Sequence, residues 1–108
     1  MSNGLNIEFV SEEDQNSSYD WANISFGDDR VGKARCKIDG NVITIFSINI
    51  YPEYSGKGYG REFVNYCKNI YDMIIADRVR QTAIGFWEKE GFINNNDGNW
   101  IYKQDRLT

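Results

Sequence analysis

The sequence predicts a mixed α/β domain in which a mostly antiparallel central sheet of about six to seven strands carries two main helices. Short segments alternate apolar with polar residues, or are apolar throughout, as strands do. Two longer segments repeat apolar residues at helical spacing. The 108-residue chain is 41% hydrophobic, which suffices for one core. We therefore expect a single domain over residues 1–108, with a loose tail at 104–108.

The strands are predicted from this periodicity and from the turn residues between them. They are expected at residues 5–10, 21–26, 31–38, 42–50, 73–76, 92–93 and 99–102. Ser11 to Ser18 is a polar, acidic run that predicts a loop or one short turn of helix. Asp39-Gly40 is typical of a two-residue hairpin turn. The strand that follows this turn is apolar on both faces, which places it centrally in the sheet.

The helices are predicted from apolar stripes. The first is expected from Arg61 to Tyr71, and its stripe packs on the sheet. Because it connects the central strand to the short apolar strand after it, these two strands are expected to be parallel. The second helix begins near Gln81 or Thr82 and ends at Gly91. The last two strands form a closing hairpin across residues 94–98.

Composition and charge exclude several classes of protein. The formal charge of −4 argues against a protein that mainly binds nucleic acid by neutralising phosphates. No segment is long and apolar enough for a membrane span, and residues 1–10 do not resemble a signal peptide, so we expect a cytoplasmic protein. Cys36 and Cys67 lie in apolar patterns typical of buried thiols. Because the chain has no histidine, it lacks the base of a serine triad and the commonest metal ligand, and no metal is expected.

A glycine loop lies between the central strand and the first helix. It reads Ser55-Gly56-Lys57-Gly58-Tyr59-Gly60. Alternate glycines remove Cβ atoms and permit left-handed dihedral angles, so successive N–H groups can converge on one anion near the positive end of the helix. We therefore expect residues 55–61 to bind a pyrophosphate, with a plain tight turn as the alternative. The loop is not a Walker loop, because Arg61 follows Gly60, and the chain is too short for a dinucleotide fold.

Two motifs resemble those of the GNAT acyltransferases. Residues 48–60, Ile-Asn-Ile-Tyr-Pro-Glu-Tyr-Ser-Gly-Lys-Gly-Tyr-Gly, are similar to the family's coenzyme A strand and its Arg/Gln-x-x-Gly-x-Gly/Ala loop. Residues 83–92, Ala-Ile-Gly-Phe-Trp-Glu-Lys-Glu-Gly-Phe, are similar to its late helix, Ala-x-x-x-Tyr/Trp-x-x-x-Gly-Phe. The resemblance covers roughly Trp21 to Tyr102 and implies a GNAT-like fold. Since the family usually has two helices where this chain has residues 11–18, those helices are expected to be reduced or absent.

The resemblance also implies an activity and a binding site. The activity is acyl-CoA-dependent N-acyl transfer, with acetyl-CoA as the expected co-substrate and a primary amine attacking the thioester directly. Backbone groups of Ile48 and Ile50 are expected to bind the pantetheine arm and the thioester carbonyl. The implied coenzyme-binding residues are Ile48, Ile50, Ser55, Gly56, Lys57, Gly58, Tyr59, Gly60, Arg61 and Arg80.

The chain departs from the family pattern at the positions of a general acid and two binding residues. Ser55 stands where Arg or Gln is usual, and Arg80 stands where an asparagine often contacts the cofactor arm. Trp87 occupies the position of the tyrosine that often protonates the leaving thiolate, and an indole is no acid at neutral pH. Tyr51, Tyr54 or solvent are the alternative acids.

The general base is also left open by the sequence. Thr44 stands where some relatives carry a strand glutamate. The role then passes to Glu53, Asp20 or an ordered water, and many relatives have no dedicated base. For Glu53, a carboxylate near a helix start is the competing interpretation.

Alternative functions and partners follow from the same departures. One alternative is a degenerate GNAT-fold protein that binds CoA or a protein partner without catalysis, and another is a plain interaction domain. The acceptor is expected to be a small-molecule or protein amine, and a homodimer is a further possibility that would complete the acceptor site. The acidic overall charge favours encounter with a cationic amine. Lys33, Arg35 and Lys37 form a row that indicates a solvated strand face or a contact to an acidic partner or the 3′-phosphate of the cofactor.

Overall fold

The computed structural model describes residues 4–11 and 19–104. Its strands are β1 (Leu5–Val10), β2 (Asp20–Phe26), β3 (Asp29–Asp39), β4 (Val42–Ile50), β5 (Met73–Ala76), β6 (Ile93–Asn94) and β7 (Trp100–Lys103). Its helices are α1 (Tyr59–Ile70) and α2 (Ile84–Lys89), and short 3-10 turns at Pro52–Tyr54 and Gln81–Ala83 precede them. None of the described helices is long and apolar enough to cross a bilayer.

The strands form one sheet in the order β1-β2-β3-β4-β5-β7-β6. Among the described strands only β4 and β5 pair in parallel, and α1 connects them. The other neighbours are antiparallel. This arrangement confirms the predicted fold class. Nine residues, 11–19, separate β1 from β2.

One face of the sheet is buried beneath α1. Phe63, Val64 and Cys67 of this helix are fully buried. The α1 side also holds aromatic contacts, since Phe9 of β1 packs against Tyr66 with ring centroids 6.3 Å apart. The buried strand residues on this side recur at every second position: Ala22, Ile24, Ala34, Cys36, Ile43, Ile45, Ile74 and Ala76. The single core therefore lies between α1 and this face.

Both cysteines belong to this core, as predicted. Burial is the main cause that raises the pKa of the Cys36 thiol and of the Cys67 thiol to about 12. Both side chains are therefore neutral at physiological pH, and neither has the reactivity of a thiolate.

A bulge in β4 changes the pairing in the middle of the sheet. Cys36 pairs with Ile45 but Arg35 pairs with Ser47, so Phe46 is an extra residue on β4. A bulge bends the strand and re-aims its side chains. Because residues paired across a ladder share a face, Arg35 and Ser47 lie on the face opposite to Cys36 and Ile45.

Several element boundaries differ from the prediction. The predicted helix from Gln81 or Thr82 to Gly91 is a 3-10 turn followed by a shorter α-helix. Gly91 adopts a left-handed φ of +88°, which ends the helix. The closing hairpin is shifted by one residue, to Ile93–Asn94 and Trp100–Lys103. Gln104, predicted to begin the tail, donates its N–H to the Asp72 carbonyl at 2.8 Å. The predicted loop after Ser11 and the rest of the tail lie outside the described residues.

Candidate active site

The parallel strands β4 and β5 separate at the point where the short strand ends. Their pairing stops at Ile45 and Ala76, and the N–H of Asp77 closes it with a 2.9 Å bond to the Ile45 carbonyl. Beyond this point β4 continues to Ile50 without a strand on that side among the described residues. A gap therefore opens between β4 and the chain that follows β5.

Main-chain groups of β4 face this gap. The N–H of Tyr51 donates to the Val31 carbonyl of β3 at 2.8 Å. Polar groups of successive residues in an extended strand point to opposite sides. The N–H and C=O groups of Ile50 and Ile48 therefore point away from β3, toward the gap, where the resemblance predicts the pantetheine contacts.

A cavity of about 560 Å³ occupies the gap. Its volume is typical of small-molecule sites. The described residues that line it are Arg35, Ile45, Phe46, Ser47, Ile48, Ile50, Gly60, Ala76, Asp77, Arg78, Val79, Arg80, Ala83, Phe86 and Trp87. Residues from both faces of the sheet line the cavity, since Arg35 and Ser47 lie on the face opposite to Ile45. The cavity therefore lies at the place where the strands diverge.

Of the predicted site residues, the cavity wall brings together Ile48, Ile50, Gly60, Arg80 and Trp87. The remaining predicted residues are not part of the described wall: Tyr51, Glu53, Tyr54, Ser55, Gly56, Lys57, Gly58, Tyr59 and Arg61. Most of this second group forms the loop that leads into α1, so it lies beside the mouth of the cavity, next to Gly60.

The glycine loop has the backbone conformation that an anion cradle requires. Gly56 and Gly58 have φ values of +80° and +86°, and Gly58 is the N-cap of α1 without a side-chain cap bond. The first helical bond runs from the N–H of Glu62 to the Gly58 carbonyl, at 3.0 Å. The amides of residues 56–61 have no acceptor among the described residues. A Cβ atom at Gly56 or Gly58 would meet no atom within 4 Å, so the space over the loop is open to a ligand.

The side chains of the loop differ in what they contact. Both the N–H and the hydroxyl of Ser55 donate to the Pro52 carbonyl, at 3.2 and 2.9 Å, so they are already used within the turn. The Arg61 Nε lies 3.6 Å from the Glu90 carboxylate, although 71% of the Arg61 side chain is exposed. Lys57 is exposed. The cradle is therefore mainly a set of main-chain donors.

Trp87 is buried between aromatic neighbours at the wall of the cavity. Its ring stacks edge to face with Phe86 at 5.0 Å and with Phe92 at 4.7 Å. An indole N–H donates hydrogen bonds but does not supply a proton at neutral pH. No tyrosine occurs among the described residues of the wall. Burial, followed by the negative charge of the nearby Asp29, raises the pKa of Tyr54, so this phenol stays protonated. Tyr54 is not part of the described wall.

The base candidates are also placed by the structure. Glu53 is exposed in the 3-10 turn outside the wall. Asp20 is buried, and its Oδ2 accepts the Ile38 N–H at 2.8 Å, so this carboxylate joins β2 to β3. Asp77 provides the only carboxylate among the described residues of the wall, and its Oδ2 accepts from the Arg78 Nε at 3.1 Å.

Sequence reasoning missed Asp77 and assigned Arg35 to a solvated face. Lys33 and Lys37 are exposed, as a solvated face predicts, whereas Arg35 is half-buried and lines the cavity, which fits the alternative of a ligand contact for this residue. The bulge at Phe46 lies next to Arg35 in the β3–β4 pairing, and no residue pattern in the sequence predicts this bulge. Asp77 could have been predicted from the sequence, because it directly follows a buried strand that is parallel to its neighbour, and ligand sites on open sheets are found at such strand ends. Within residues 4–11 and 19–104 no acidic, cysteine or histidine cluster suits a metal ion.

Comparisons with known proteins agree with this geometry. The model of the Acetyltransferase (GNAT) family matches residues 4–92. An uncharacterised N-acetyltransferase of Oceanobacillus iheyensis is 39% identical over 51 residues, covering 47% of this chain and 31% of that protein. Another, of Bacillus pumilus, is 33% identical over 92 residues, covering 75% and 56%. The chain thus spans less than two thirds of either curated relative.

A solved structure shares the fold. The Bacillus subtilis N-acetyltransferase YlbP, crystallised in complex with coenzyme A, superposes with a TM-score of 0.67 at 18% identity. The match covers 94% of this chain and 97% of that chain. The overall fold of this chain therefore recurs in a known protein.

Proposed function

Because the chain belongs to the acetyltransferase (GNAT) family, we propose that it is an acyl-CoA-dependent N-acyltransferase, with acetyl-CoA as acyl donor and a primary amine as acceptor. One observation carries the proposal. The main-chain amides of residues 56–61 have no acceptor among the described residues, and they adjoin a cavity opened by the divergence of β4 and β5. A long thioester with a pyrophosphate at one end fits that combination.

The binding role of each part follows from its chemistry. The amides of residues 56–61, together with the N-terminal end of α1, hold the pyrophosphate. The main-chain groups of Ile48 and Ile50 bind the pantetheine arm as an added strand would. Arg80, on the wall beside the 3-10 turn, supplies a cation to the same ligand. The coenzyme itself supplies an activated acyl group in its thioester.

The transfer is a direct attack. The amine nitrogen forms a bond to the thioester carbon and loses a proton, the C–S bond breaks, and the thiolate gains a proton. We assign proton removal from the amine to Asp77, which lines the cavity at the point where the strands separate. General-base catalysis of this kind contributes a factor on the order of 10² to 10⁴ in rate. Since Trp87 cannot act as an acid, solvent protonates the thiolate.

A second function is favoured by one observation. Trp87 stands at the acid position, and the described wall contains no phenol to replace it. A family member that binds coenzyme A or a protein partner without catalysis is consistent with that wall.

Release of free coenzyme A separates the two functions. The protein is incubated with acetyl-CoA and a panel of primary amines, and the thiol is titrated over time. We expect amine-dependent thiol release in the unmodified protein, and a tenfold or greater fall in kcat for Asp77→Asn. Asp28→Asn, in an exposed turn between β2 and β3, is the matched control and should retain full activity. Binding of acetyl-CoA with no release for any amine would instead support the non-catalytic function.

A further inference from the structure

Arg35 is a cation inside the cavity with an unused hydrogen-bond donor. Its side chain comes from β3, lies opposite Ser47 next to the bulge, and is half-buried. The Nε atom is buried and has no hydrogen-bond partner among the described residues. Buried donors of charged groups nearly always have a partner, so an unpaired one on a residue that lines a cavity points to a ligand.

Aromatic contacts hold Arg35 in this position. Its guanidinium lies over the Tyr19 ring, 4.7 Å from the centroid. The Tyr19 ring in turn packs edge to face on Phe46, the extra residue of the bulge, at 5.2 Å. Stacking on one ring leaves the edge of the guanidinium, with its forked donors, free to meet a carboxylate in the plane. The residue is thus oriented before any ligand arrives.

The charge of the wall favours an anion at this point. Its described cations are Arg35, Arg78 and Arg80, while Asp77 is its only described carboxylate and already accepts from Arg78. This local excess of positive charge is opposite in sign to the formal charge of −4 of the whole chain. The expectation of a cationic acceptor, drawn from overall charge, therefore does not describe the cavity.

Two anions could satisfy Arg35, a phosphate of the coenzyme or a carboxylate of the acceptor. The glycine loop begins beyond Ile50, three residues further along β4 than Ser47, which is about 10 Å of extended strand. Arg35 also projects from the face opposite to the one that α1 covers. The coenzyme bound on the α1 side would thus reach Arg35 with its reactive end and not with its phosphates.

We propose that Arg35 binds a carboxylate of the acceptor, and that the acceptor is an amine that also carries a carboxylate, as an amino acid does. The inference rests on the proposed function. In the transfer the acceptor nitrogen forms the amide bond and loses a proton to Asp77, while the thioester C–S bond breaks and the departing thiolate takes a proton from solvent. The carboxylate is unchanged throughout. Arg35 is a specificity-determining residue that holds the carboxylate of the acceptor while its nitrogen reacts.

The test compares amines that differ only in the carboxylate. Glycine is paired with methylamine, phenylalanine with phenethylamine and lysine with cadaverine. For each compound kcat/KM is measured by thiol release. We expect kcat/KM for at least one amino acid to exceed that for its decarboxylated partner tenfold or more. Equal values, a preference for the decarboxylated amines, or no turnover of any amino acid would overturn the inference. If amines turn over without this preference, the proposed function survives; if acetyl-CoA is neither bound nor consumed, both fail.

Variants assign the preference to Arg35. Arg35→Gln should raise KM for the preferred amino acid at least tenfold and leave KM for acetyl-CoA within twofold, while Arg35→Lys restores part of the loss. Lys33→Gln is the matched control, because Lys33 lies two residues earlier on the same face, is exposed and does not line the cavity. A rise in KM for acetyl-CoA with Arg35→Gln would instead assign Arg35 to a phosphate and overturn the inference.

NMR spectroscopy tests whether Arg35 binds a carboxylate without requiring turnover. The Arg35 Nε–H resonance is assigned by its loss in Arg35→Lys, and it is followed in the acetyl-CoA complex during titration with acetate and then with acetamide. We expect a downfield shift with the carboxylate and none with the amide. If acetyl-CoA alone shifts the Arg35 Nε–H resonance and acetate then causes no further change, the proposal is contradicted.

Discussion

The Nζ atom of Lys68 donates to the Glu90 carbonyl oxygen at 2.6 Å. Lys68 lies in α1, which begins at the glycine loop, and Glu90 follows α2, which carries Trp87. The Glu90 carboxylate is buried, 3.8 Å from the same Nζ. The Lys68 ammonium also lies over the Tyr102 ring, 4.6 Å from its centroid. These contacts join the two sides of the proposed coenzyme site.

Removing the Lys68 ammonium should therefore destabilise the protein. In Lys68→Met the buried Glu90 carboxylate keeps, among residues 4–11 and 19–104, only the exposed Arg61 as an ion-pair partner. We expect a loss of about 2–4 kcal/mol in the free energy of unfolding, measured by urea titration. Lys89→Met is the matched control, because Lys89 is exposed on α2, and a change below about 0.5 kcal/mol is expected there. Equal effects of the two variants would show that the Lys68 contacts contribute nothing.

Two glycines should respond in opposite directions to alanine. At Gly32 a Cβ atom would clash with the Asn49 carbonyl oxygen and lie 2.9 Å from the Ile50 side chain, so Gly32→Ala forces β3 and β4 apart. We expect it to cost about 1–3 kcal/mol. Gly85 is exposed in α2, and a Cβ atom there meets nothing within 4 Å, so Gly85→Ala should stabilise by about 0.5–1 kcal/mol. Thermal unfolding of both variants measures the difference, and shifts of the same sign would contradict it.

Stability should fall in alkaline solution because of the two thiols. Both Cys36 and Cys67 keep their protons in the folded state up to a pKa of about 12, whereas an unfolded thiol with a pKa near 9.0 loses its proton earlier. Between these values the unfolded state binds fewer protons, so the free energy of unfolding decreases as pH rises from about 9 to 12. The slope is up to about 1.4 kcal/mol per pH unit for each thiol.

Alanine variants isolate that effect from other alkaline titrations. Cys67→Ala should show a shallower decrease between pH 9 and 12 than the unmodified protein in urea titrations at each pH. The comparison concerns the slope, because the substitution also lowers stability at every pH by removing buried volume. Parallel curves for the two proteins would mean that the Cys67 thiol does not contribute.

Trp87→Tyr separates packing from proton transfer. The smaller ring leaves space between Phe86 and Phe92, so the melting temperature should fall. A phenol at this position provides an acid for the thiolate, and we expect kcat to be unchanged or higher. Trp100→Tyr is a control for packing alone, since Trp100 is buried but does not line the cavity. A tenfold loss of kcat confined to Trp87→Tyr would mean that the indole supports the coenzyme arm.

The fold was predictable because its elements carry local patterns. Alternation indicated the strands, the stripe of Phe63, Val64 and Cys67 indicated the buried side of α1, and the crossover between β4 and β5 required a parallel pair. The 3-10 turn at Gln81–Ala83 was not predicted, because its residues are compatible with either kind of helix.

The cavity was only partly predictable for a physical reason. The glycine loop is recognisable because left-handed φ values at Gly56 and Gly58 demand glycine. The approach of Arg35 depends on a bulge at Phe46 and on Tyr19, which are brought to it by pairing between β2, β3 and β4. Such contacts arise from strand register, and a single sequence carries no local mark of them.

The amides of residues 56–61 are the proposed binding site of the coenzyme's diphosphate, and the other roles in the cavity depend on them. Calorimetric titration with acetyl-CoA tests this in the unmodified protein, in Gly58→Glu and in Gly40→Glu. Both glycines have positive φ and open space for a Cβ atom, so the substitutions strain the backbone alike, but only Gly58 lies at the cradle. We predict binding to the unmodified protein and to Gly40→Glu, and at least a hundredfold weaker binding to Gly58→Glu. Affinity that survives in Gly58→Glu would contradict the central claim and locate the coenzyme elsewhere.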